Sequence, residues 1–155
     1  MRPLPLCAVA MTLVLGLCIV PVALAADYTM VAPKDLKWED NPALPPGAKV
    51  AVIAGPLDQA APFIVRLKFP ANYKVPAHWH PAVEHVTVLS GSLHMGTGDK
   101  LDAKKTHVVP AGSVMIMPAK TNHFGWTKGA TVVQVHGVGP WGITYVNPAD
   151  DPRKK

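Results

Sequence analysis

An all-β sandwich or barrel is the fold class this sequence predicts, on three observations. Apolar runs of five to eight residues recur after Gly47, enriched in Val, Ile, Thr and aromatic residues, and Gly, Pro or Asn closes each one. That is the pattern of many short strands with turns between them. No stretch keeps apolar residues at i, i+3, i+4 and i+7 over helical length. The seventeen prolines agree, because proline breaks helices yet sits easily in turns and on strand edges.

In chain order the expected strands are "KVAVIAG", "FIVRLKFP", "KVPAHW", "EHVTVLSG", "SLHMGTG", "THVVP", "SVMIMP", "NHFGWT", "TVVQVHG" and "WGITYV". They define a barrel over residues 49–147, followed by a polar C-terminal tail at 148–155. Residues 26–48 are polar and proline-rich, and are expected to form an N-terminal arm with a short strand at "YTMVA" and a turn around "NPALPPG". No second domain, aligned repeat or low-complexity segment is present.

Residues 1–25 carry the features of a cleavable signal peptide. Arg2 precedes an uncharged apolar run that ends in the small-residue pattern of Ala23 and Ala25, so cleavage is expected after Ala25 or Ala26. The run is also long enough to span a bilayer. Pro21, just before the cleavage pattern, favours removal over a retained anchor. A periplasmic or secreted protein with no stable membrane anchor after cleavage is therefore expected.

Both cysteines, Cys7 and Cys18, lie in this segment. The mature chain would have no disulfide, thiolate metal site or cysteine nucleophile. Losing Arg2 lowers the formal charge by one, from +5 to +4. The lysines are scattered and do not interleave with aromatics, so nucleic acid is not an expected partner. No Ser-His-Asp order, phosphate-binding glycine loop or dinucleotide fingerprint is visible.

The chemistry concentrates in "HWHPAVEHVTVLSG", from His78 to Gly91. On a strand, His78 and His80 share a face and Trp79 takes the other; Glu84 restarts the same parity, with Val86 and Val88 behind it. Two imidazoles and a carboxylate over an apolar floor suit a divalent metal. A pair of exposed histidines at a strand end, with Glu84 solvating the edge, is the competing reading. Farther along, "GSVMIMPAKTNHFGW" places His123 after a strand bracketed by Gly112 and Pro118.

Together the two segments resemble the paired motifs of the cupin superfamily, small jelly-roll β-barrels (double-stranded β-helices) that usually hold one metal ion. His78, His80, Glu84 and Gly91 keep the first motif's spacings, and Gly112, Pro118 and His123 keep the second's. Asn72, Lys120 and Thr127 stand where that pattern has two glycines and an asparagine. The resemblance runs from about Phe63 to Val138. It implies His78, His80, Glu84 and His123 as ligands of one divalent ion, Fe, Mn, Ni or Zn, with two positions open in an octahedral site.

Glu84 is the one candidate catalytic group. His85 has the opposite parity and is expected to face outward, while His94 and His107 are read as structural. Phe124, Trp126, Met95 and Met117 are candidate cavity residues. Gln134 and His136 compete with Val133 and Val135 for the inward face of their strand, and alternation leaves that choice open. Met95, Met115 and Met117 read as barrel lining rather than a thioether copper site. Trp141 is expected to pack the C-terminal strand, in a Gly- and Pro-rich segment suited to a lid or a dimer edge.

The expected function is that of an exported metal cupin acting on a small organic molecule. A dioxygenase-like oxidoreductase is favoured. A metal-dependent isomerase or lyase, and a non-catalytic metal- or ligand-binding sensor, are the alternatives. A homodimer is expected because exposed strand edges need cover, with His85, Trp79 or the N-terminal arm at the contact.

Overall fold

The computed structural model describes residues 28–155; the signal segment expected at residues 1–25 lies outside them. Val31–Lys155 form one compact unit. Its strands are β1 (Glu39–Asp40), β2 (Lys49–Ala54), β3 (Pro62–Phe69), β4 (Lys74–Trp79), β5 (Glu84–Ser90), β6 (Ser92–Thr97), β7 (His107–Pro110), β8 (Val114–Met117), β9 (His123–Trp126), β10 (Thr131–Val138) and β11 (Thr144–Tyr145). The ten apolar runs read from the sequence correspond to β2 through β11. Only short 3₁₀ turns add to them among the described residues.

The strands form two antiparallel sheets, one ordered β1-β2-β3-β10-β5-β8 and the other β11-β4-β9-β6-β7. From β3 onward consecutive strands switch sheets, except for the hairpin β6–β7. Each sheet therefore buries one face against residues distant in sequence. This is the jelly-roll arrangement. The core draws Phe63, Val65, Val86 and Val133 from one sheet and Val75 and Leu93 from the other.

One feature of the arm differs from expectation. "YTMVA" carries no strand; the open edge of β2 is instead taken by Glu39–Asp40, with Asp40 2.9 Å from Lys49. A strand needs a free edge to pair with, and that one is used. The polar residues at 148–155 are ordered against the barrel. They form two 3₁₀ turns with Asn147 and Asp151 as side-chain caps, Asp151 is buried, and Arg153 Nη2 donates to the Ile143 carbonyl at 3.1 Å.

Two phenols tie the arm to the barrel. Tyr145 donates to the Ala43 carbonyl at 2.9 Å, and Tyr73 donates to that of Pro45. Burial is the main reason both resist ionisation, with the Tyr145 pKa pushed up to about 12. Residues 41–44 are thereby held against the cavity described below.

Two of the departures from the cupin pattern take backbone angles that suit glycine. Asn72 and Lys120, at the two glycine positions, have φ of 59° and 60°, in the left-handed region that glycine adopts without penalty. Thr127, at the asparagine position, is buried; it donates to the Pro70 carbonyl and accepts from the Tyr73 amide. Lys120→Gly is therefore expected to stabilise the protein, the relief of strain exceeding glycine's entropy cost by about 0.5–1 kcal/mol. Urea unfolding measures it, and a destabilised variant would show that Lys120 makes a compensating contact.

On β10 the choice between faces goes to the valines. Val133 and Val135 point inward opposite Val88 and Val86 of β5. Gln134 and His136, offered above as cavity residues, lie on the outer face. There Gln134 accepts from Arg66 at 3.2 Å, and His136 stacks on His85 with ring centroids 5.0 Å apart. Burying the branched apolar pair and leaving the polar pair half-buried on the outer face is the cheaper arrangement.

Candidate metal centre

β4 and β9 are neighbours, and His78 of β4 sits directly opposite His123 of β9. The pairing slips between Val75 and His78. That irregularity turns both residues toward the interior although they are three apart. His80 follows β4, and Glu84 opens β5 on the facing sheet. All four side chains are buried, His123 to 1% exposure.

His78, His80 and His123 each offer a ring nitrogen within 4.8 Å of the others. Each ring's Nδ1 meets a backbone carbonyl: Pro76 at 2.7 Å for His78, Gly142 at 2.6 Å for His80 and Thr121 at 2.8 Å for His123. A carbonyl only accepts, so in all three rings Nδ1 holds the proton and Nε2 presents a lone pair. Glu84 faces the same space, with Oε1 3.6 Å from His80 Nε2 and Oε2 3.4 Å from His123 Nε2.

Neither contact has hydrogen-bond geometry. Glu84 Oε2 and His123 Nε2 are buried without a hydrogen-bond partner. Two acceptors facing one another in a dry interior are costly unless something electropositive lies between them. The donor set therefore fits a divalent cation. Three neutral imidazoles beside one carboxylate suit the first-row metals and zinc.

Burial drives the His78 pKa well below its ordinary value, and His123 and His80 push it the same way against the opposing Pro76 hydrogen bond. His80 is lowered chiefly by burial too, although Glu84 and the Gly142 carbonyl resist. Both rings are thus neutral and ready to ligate at pH 7. Below the unfolded value of 6.5 the unfolded chain takes up protons that the native rings refuse, so native stability falls as pH drops. Metal-free protein should show a falling midpoint of unfolding from pH 7 to pH 5. His78→Asn should flatten that slope, and an unchanged slope would remove His78 from the explanation.

The four residues border a cavity of about 260 Å³. Its wall is mostly aliphatic, including Val65, Leu67, Val86, Val133 and Ile143. Met95 lines it, whereas Met117 is buried in the core away from the wall. Phe124 and Trp126 do not line it either. On β9 they alternate with His123 and Gly125, which do, so Phe124 is buried behind the site and Trp126 stacks on His94 at 3.8 Å.

Asn41 and Arg153, which the sequence did not single out, border the cavity, as does Trp141, expected only to pack the C-terminal strand. Trp141 lies on the His80 ring, centroids 4.0 Å apart and 14° from parallel. It is anchored by its amide to the Leu57 carbonyl. The one available signal was an aromatic residue in a Gly- and Pro-rich loop, which marks a fixed turn without saying what it covers.

No family model matches the sequence, and no curated protein does. Solved structures do match. The polyketide cyclase RemF from Streptomyces resistomycificus superposes with a TM-score of 0.65 at 19% identity, over 82% of this chain and 91% of that one. An RmlC-like cupin from Shewanella frigidimarina gives 0.58 at 15%, over 72% and 91%. KdgF from Halomonas sp. gives 0.56 at 15%, over 73% and 96%. The described chain has the cupin fold, a single double-stranded β-helix. At these identities the likeness concerns the fold, and the three-histidine cluster inside it is a candidate metal site of this chain's own residues.

Proposed function

We propose that the protein is a single-domain metal cupin in which His78, His80, Glu84 and His123 hold one divalent ion, and that a small organic molecule enters the cavity to meet it. The observation that carries this reading is the pair of buried acceptors without donors, Glu84 Oε2 and His123 Nε2. A bound Fe, Mn, Ni or Zn ion would supply Lewis acidity, and the first three redox chemistry as well. The chain's residues do the rest: three carbonyls orient the rings and aliphatic side chains line most of the cavity. Glu84, a carboxylate on its wall, would take up a proton from a bound molecule only when released from the ion.

A dioxygenase-like oxidation is the favoured reaction, because three imidazoles and a carboxylate suit redox metals. Non-oxidative chemistry of isomerase or lyase type is the second reading, favoured by the likeness to a polyketide cyclase. The test is anaerobic reconstitution with each metal, then oxygen uptake with phenolic and diketone substrates beside oxygen-free turnover. Failure to retain one metal per chain sinks the proposal. Metal retention without turnover under every condition moves the reading to a binding or sensor protein.

The proposal includes export to the periplasm or medium and pairing as a homodimer. Val114 and Ile116, 59% and 61% exposed on the edge strand β8, supply apolar surface for a contact. A monomer by light scattering at micromolar concentration refutes the pairing.

A further inference from the structure

The cavity wall carries two groups of polar residues among aliphatic side chains. One comprises the three histidines and Glu84. In the other, Asn41 and Arg153 border both the cavity and a neighbouring surface groove, and the Arg153 side chain is 43% exposed. Elsewhere the wall offers aliphatic side chains such as Leu44, Val65, Leu67, Val133 and Val135. A polyhydroxylated molecule would lose water along these without regaining hydrogen bonds. A ring or short carbon skeleton would lose nothing.

Each polar group constrains what it meets. A divalent ion with one carboxylate leaves a buried charge of +1, which favours an oxygen donor that ionises on binding. Arginine only donates hydrogen bonds. Arg153 Nε and Nη2 bond the two oxygens of Asp151 at 2.8 Å each, and Nη2 also reaches the Ile143 carbonyl. Those contacts hold the guanidinium plane in place, and they use Nε and Nη2 among the described residues. The Nη1 edge is left to donate to a ligand acceptor. The cavity's 260 Å³ equals roughly eight or nine waters, enough for a substituted ring.

We infer that the site takes a compact aromatic or enolic molecule, with ionisable oxygens toward the histidines and a carboxylate or similar acceptor toward Arg153, and that Arg153 selects for that second group. The metal end of this inference rests on the proposed function above; the Arg153 end does not.

Titration calorimetry on metal-free and cobalt(II)-loaded protein, with visible absorption of the cobalt form, tests it with three probes. These are 3,4-dihydroxybenzoate, catechol, which lacks the distal carboxylate, and galacturonate, an acid of equal charge that is hydroxylated throughout. Dihydroxybenzoate is expected to bind the cobalt form at least tenfold more tightly than either of the others and to shift its absorption. Arg153→Gln should bring dihydroxybenzoate to within threefold of catechol, with catechol affinity reporting that the variant is folded. Arg153→Lys, which keeps the charge but loses the fork, should retain part of the margin and serves if the glutamine variant does not fold. Equal or tighter binding of galacturonate overturns the inference, as does a margin that neither variant changes. If the protein takes up no cobalt, the metal reading fails by itself. The Arg153-dependent margin in metal-free protein then still decides the selectivity.

Discussion

His123→Ala should leave a folded chain that no longer holds a stoichiometric divalent ion. The affinity loss should exceed the roughly 10–100-fold that follows removal of a group merely orienting a ligand, because His123 Nε2 itself faces the shared space with no other partner. Two readouts separate metal loss from misfolding. Metal analysis gives ions per chain, and the unfolding midpoint with and without chelator gives the linkage. Wild type at a metal concentration a hundredfold above its Kd gains about 2.7 kcal/mol from binding; the variant should gain almost nothing. In metal-free protein the substitution should cost less than an ordinary large-to-small change in a core, since it removes an acceptor that burial leaves unsatisfied. One ion per chain in the variant would remove His123 from the site.

The second large effect belongs to the turn that carries the chain from one sheet to the other. Gly91 alone separates β5 from β6, with φ of 76°, and a Cβ there would lie 2.4 Å from the Ala130 carbonyl oxygen and 3.0 Å from Thr131 Cα. Gly112 has a similar φ of 86°, but a Cβ there meets nothing within 4 Å. Alanine at either position incurs the left-handed penalty of about 1–2 kcal/mol. Only at residue 91 must the backbone also move, because neither contact is a flexible side-chain end. Gly91→Ala is therefore expected to cost more than about 3 kcal/mol and Gly112→Ala about 1 kcal/mol. Urea unfolding of the two variants side by side checks this, and equal losses would show that conformation alone sets the cost.

Strand positions were legible because β-branched runs closed by Gly and Pro are a local signal, and β2 through β11 need nothing more. The three-histidine cluster was legible because two spaced motifs, far apart in sequence, had to serve one place. Facing was not legible wherever two phases of alternation were both acceptable. On β10 each phase contains apolar residues, and the choice is made by what Val65 and Val86 need across the ladders. On β4 a slip in pairing puts Val75 and His78 on one side, which no strict alternation allows. Trp141 and Arg153 reach the cavity from a loop and a terminal turn whose paths depend on long-range bonds to Leu57 and Ile143.

The histidine tautomers have one more consequence. The groups that hold the three Nδ1 protons belong to the main chain at residues 76, 121 and 142, so no neighbouring side chain is needed to set them. Substitutions along the aliphatic wall can then reshape what the cavity admits while the lone pairs keep their aim. Under the proposed function, the hold on the ion and the choice of guest are then set by different atoms.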